Sequence, residues 1–91
     1  VSLQALLRTT PDGKYMWAWV CQVYEEDHWN GITVAVYSGN ITKMSDGRWF
    51  MARCPKEDIS TCGYDFVEVK TRVMDMCKSY VEAKRKLGEI E

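Results

Sequence analysis

No stretch of this 91-residue chain is apolar for long enough to span a bilayer, and its opening residues lack the architecture of a signal peptide. Charge of one sign is also missing. Twelve cations against thirteen acids leave a formal net charge of −1, which provides no global field to gather nucleic acid or an anionic membrane. Catalytic signatures are absent too: there is no GxSxG, P-loop, dinucleotide fingerprint or HExxH. The one histidine, His28, has no evident nucleophile beside it in sequence. These gaps point to a non-catalytic domain without cofactor or metal. The first residue, Val1, fits a processed chain, an excerpt of a longer one, or a bacterial GTG start.

What is present describes one globular domain, residues 1–91. Apolar residues make up 46% and charged residues 27%, enough for a single modest core and too apolar for wholesale disorder. The four cysteines, Cys21, Cys54, Cys62 and Cys77, are irregularly spaced, with no CxxC. Reduced thiols in a cytoplasmic protein are the plain reading. A Cys54–Cys62 disulfide across the loop they flank is the alternative.

The chain is organised around one helix, expected over 65–87. Asp65 followed by Glu68 forms a capping-box pattern, and Gly88 supplies a stop. Phe66, Val69, Val73, Met76, Cys77, Tyr80, Ala83 and Leu87 recur at three- and four-residue spacing and so share one stripe. Glu68–Arg72 and Glu82–Lys86 stand at i,i+4 in the favourable order. Such a helix needs a partner surface.

Upstream, short strands supply that surface. Residues 3–10 form a strand or a frayed helical turn, and Pro11-Asp12-Gly13 turns into a strand over 14–24. Tyr15, Trp17, Trp19, Cys21 and Val23 line one face of that strand. Its other face, with Met16, Ala18, Val20, Gln22 and Tyr24, is also largely apolar. That pattern suggests cover on both sides, with Leu3, Leu6 and Leu7 or a partner closing the second. Residues 25–31 read as an acidic loop. Turns follow at Ser38-Gly39-Asn40 and Ser45-Asp46-Gly47, and residues 55–63 read as a polar crossover. The expected fold is α+β: an antiparallel sheet of four to five short strands with one C-terminal amphipathic helix packed on one face.

Two functional readings follow. In the first, the chain is a protein-interaction module acting by surface occlusion. Glu25, Glu26 and Asp27 mimic phosphates toward another protein with a basic groove, and Trp29 serves as the anchor. Small inhibitors from phages and mobile elements, such as anti-CRISPR proteins, have this profile by type. In the second, Arg48, Arg53, Lys84, Arg85 and Lys86 contact phosphates of a nucleic acid. The last three also complement the helix dipole. The run from Gly47-Arg48-Trp49 through Ala52-Arg53 to Phe66 resembles the three-strand-plus-helix DNA-binding modules of phage-type integrases, which are basic throughout where this chain is not. Residues 54–66 resemble small antitoxin domains that lay a helix over a sheet. A metal site at 25–28 is disfavoured because adjacent residues diverge. A homodimer through an uncovered sheet face fits either reading.

Overall fold

The computed structural model describes residues 2–27, 30–44 and 50–88. Five antiparallel strands follow one another across one sheet in chain order: β1 (Ser2–Pro11), β2 (Met16–Asp27), β3 (Asn30–Lys43), β4 (Phe50–Cys54) and β5 (Ile59–Gly63). The helix α1 (Phe66–Lys86) crosses one face. Consecutive antiparallel pairing is what short connections allow. The α+β architecture expected from the sequence is the one observed.

Alternation along the strands sorts the side chains. Trp19, Cys21 and Val23 of β2, Tyr37 and Ile41 of β3, Ala52 and Cys54 of β4 and Ile59 of β5 are buried. From the helix, Val69, Val73, Cys77 and Val81 join them in the same cluster at 0% exposure. An aromatic wedge closes the end near the helix N-terminus. Trp17 meets Phe66 at 4.9 Å and Phe50 at 5.8 Å between ring centroids, in the tilted and edge-on geometries that aromatic quadrupoles favour. Tyr37 and Tyr80 pack edge-to-face at 5.6 Å.

The helix starts where its cap predicts. Asp65 Oδ1 accepts from the Glu68 amide at 2.7 Å. The Glu68 carboxylate pairs with Arg72 at 2.7 Å, so the side chain that a full capping box turns back to the cap serves the i,i+4 pair. The buried stripe differs from expectation at its C-terminal end. It steps by four through 69, 73, 77 and 81 to Arg85, whereas Ala83 is exposed and Leu87 is 76% exposed. Steps of four drift steadily around a 3.6-residue helix, which carries the buried stripe away from Ala83 and Leu87.

Three loops expected from the sequence are strands or tight hairpins. Residues 25–27 continue β2, and Asn30 already pairs with Asp27, so the acids form a strand end rather than a loop. Ser38-Gly39-Asn40 lies inside a continuous β3. Gly39 is there for close approach, not for turning: a Cβ would overlap the Arg53 carbonyl oxygen and come within 2.9 Å of the Trp19 ring. Residues 55–63 form a four-residue turn, with Asp58 at φ 53°, and then β5. Polar composition hid these strands because their outer faces meet water. The expected turn at 45–47 lies outside the described residues.

Gly39→Ala should lower stability by about 2–3 kcal/mol in urea unfolding, because the obstructing atom is backbone. Gly88→Ala, at φ 77° with nothing within 4 Å, should lose only about 1 kcal/mol.

Candidate functional site

Among the described residues one helix covers one face of the sheet and no element covers the other. Cross-strand rows on that open face read Leu6–Gln22–Val36, Arg8–Val20–Ser38 and Thr10–Ala18–Asn40, with Met16–Thr42–Met51 at the end where β4 joins. Leu6 is 44% exposed, Val20 47%, Val36 59% and Met16 38%, so four large apolar side chains meet solvent on one surface. Scattered apolar residues on a surface need no explanation, but neighbours on adjacent strands form a patch. The Gln22 amide donates to the Thr33 hydroxyl across the β2–β3 pair, which fixes polar atoms within this surface. The expected cover from the N-terminal leucines is not there. Leu3 and Leu7 alternate to the helix side and pack on the core, and only Leu6 faces out.

The residues expected to bind a partner are dispersed. Glu25 faces the helix and forms an ion pair with Arg85, while exposed Glu26 alternates to the open face. Asp27 ends β2 opposite Asn30. Trp29, with His28, lies outside the described residues. So Glu25 acts inside the fold, tying β2 to the last turn of α1.

The candidate phosphate contacts are divided as well. Arg53 is exposed on the open face, and Arg48 lies outside the described residues. Lys84 is 3.9 Å from Glu57 and stands over the Tyr80 ring at 4.8 Å, and Arg85 pairs with Glu25. Lys86 is exposed. The helix-end cations thus sit on the opposite side of the sheet from Arg53, and two of the three hold acids of the chain itself.

The cysteines are all free. Cys54 faces the core and Cys62 is exposed on the open face, so the Cys54–Cys62 bridge considered from the sequence is not formed. The Cys77 thiol donates to Cys21 across the helix–sheet contact. That bond first, and burial second, push its pKa well above the ordinary thiol range. Burial first, then the charge of Glu57, raises Tyr37 to about 12. Among the described residues no group of three His, Cys, Asp or Glu side chains is arranged to hold a metal, and no helix is long and apolar enough to cross a membrane.

A second feature, not foreseen from the sequence, lies beside β3. A cleft of about 500 Å³ opens between Val36–Asn40 and the Cys54–Glu57 turn. Trp19 lines it, and the indole Nε1 of this buried ring has no hydrogen-bond partner among the described residues. The signal was Gly39, which marks where β4 closes on β3.

No protein-family profile, no curated protein and no solved structure matches this chain.

Three outcomes test this geometry. In the native protein only Cys62 should react quickly with a thiol reagent, and the other three only on unfolding. Glu25→Gln should lower stability by roughly 1 kcal/mol through loss of the Arg85 pair, read by urea melts. A Tyr37→Phe variant should lose the phenol that titrates near 12 in ultraviolet difference spectra. Because the folded value is raised above 10, Tyr37 contributes stability that is complete below about pH 10 and lost as pH rises toward 12.

Proposed function

We propose that this protein is a small non-catalytic interaction module that presents the open face of its sheet to another protein. The observation that carries this reading is the cluster of Leu6, Met16, Val20 and Val36, exposed at 38–59% on one uncovered face. A sheet face of mixed apolar and polar character, with Gln22 bonded to Thr33 on it, has the composition of a non-obligate interface. Its finer form, in keeping with the sequence, is an inhibitor of a host or defence protein, of the kind that phages and mobile elements make. Such a protein needs surface and no chemistry of its own. Four free cysteines, three of them buried, suit a reducing cytoplasm.

The test uses Val20→Lys together with Val36→Lys, changes on exposed positions that should alter stability by no more than about 0.5 kcal/mol. Wild-type protein should retain a stoichiometric protein partner through nuclease treatment, and the double variant should lose it. Equal recovery by both would remove the open face from the account. Recovery that disappears with nuclease, falls steeply with salt and depends on Arg53 would establish nucleic-acid binding in its place.

A further inference from the structure

The sheet is not only open on one face; one of its strands is unfinished. Residues 30–39 of β3, apart from the bulged Val34, all have partners in β2, but β4 pairs with β3 only over 40–43. The side of β3 that β4 leaves therefore carries backbone amides and carbonyls with no strand beside them among the described residues. The two outer edges of the sheet are managed differently. β1 carries Arg8 and ends in Pro11, and β5 is five residues long with its Cys62 carbonyl held by Arg72. The stretch 30–39 holds neither charge nor proline.

The ground beside this edge is shaped. The cleft of about 500 Å³ runs along Val36–Ser38 and ends at the Cys54–Glu57 turn. Its lining includes Trp19, 1% exposed, whose Nε1 has no hydrogen-bond partner among the described residues. At the rim, Glu57 is engaged by Lys84, while exposed Lys56 makes no ion pair among the described residues.

We propose that this free edge of β3 binds an extended peptide segment of a partner protein as an added strand. That segment is uncharged, with β-branched residues at alternate positions and an acidic residue at the end that meets Lys56. The assignment rests on the interaction-module reading and specifies how the partner is held. Backbone pairing supplies affinity, alternate side chains go to the cleft and the open face, and Lys56 selects the acidic end. A second copy of this chain is the weaker fit, because the bulge at Val34 interrupts the middle of the edge that would have to pair with itself.

The experiment selects displayed random linear nonapeptides on the intact protein and measures synthetic versions of those enriched. Enriched sequences should alternate β-branched residues and end in Asp or Glu. N-methylation of one alternating set of peptide amides should weaken binding at least roughly tenfold, with the other set tolerated. Lys56→Glu should weaken binding roughly fivefold. Within residues 35–38, the alternate amides that do not bond to β2 should gain exchange protection. No enriched peptide, or binding indifferent to the N-methylation pattern, would overturn the proposal. Concentration-dependent dimerisation that protects the same amides without peptide would overturn it in favour of self-pairing. If a protein partner is lost on changing Val20 and Val36 but peptides never bind the edge, the module reading stands and this one falls.

Discussion

The run Val69–Val73–Cys77–Val81, seated on a sheet that presents Trp19, Cys21 and Val23, is the contact on which the rest depends. Each of these side chains is fully or almost fully withdrawn from water, and burying a valine contributes roughly 1.5–3 kcal/mol. An isolated helix of this length is marginal, and a meander of strands needs something on its apolar face to be stable. Neither half holds without the other. Arg85 extends the stripe by one more step of four, and its pair with Glu25 fixes the helix end against β2. At the opposite end the Trp17–Phe50–Phe66 wedge does the same by packing.

That single contact also decides what is left over. A helix is narrow and a five-stranded sheet has two faces, so one face is satisfied and the other is not. The strand β2 is apolar on both sides although its two faces meet different surroundings: a core on one, open solvent with Met16 and Val20 on the other. A covered strand and an exposed one share this sequence pattern. The pattern therefore announces an available surface without saying what occupies it.

The helix was legible because its signals are local: a cap, a period and a glycine stop. Strand β2 was legible as far as residue 24 through the alternation about Trp17 and Trp19, and Pro11-Asp12-Gly13 marked the turn before it, while residues 3–10 read equally as a strand or a frayed helical turn. Where the reading failed, local chemistry was overruled by pairing. Glu25, Glu26 and Asp27 look like a loop until Ile32, Gly31 and Asn30 are set opposite them. Gly39 looks like a turn until the Arg53 carbonyl is brought against it. The acidic cluster failed as a patch because successive residues on a strand face opposite ways, which sends Glu25 to Arg85 and Glu26 to solvent. The unfinished edge of β3 could not be seen beforehand. It depends on where β4 stops, and no residue type encodes that.

The most direct test of a helix-covered face opposed to an open one is hydroxyl-radical footprinting of the dilute, free protein, read by mass spectrometry residue by residue. Met16 and Leu6 should be modified rapidly, while Trp19, despite its reactive ring, should stay unmodified until the protein unfolds. Modification of Trp19 at a rate comparable to Met16 would contradict the helix–sheet contact. Protection of Met16 and Leu6 in the free protein would show that the face held to be open is already covered.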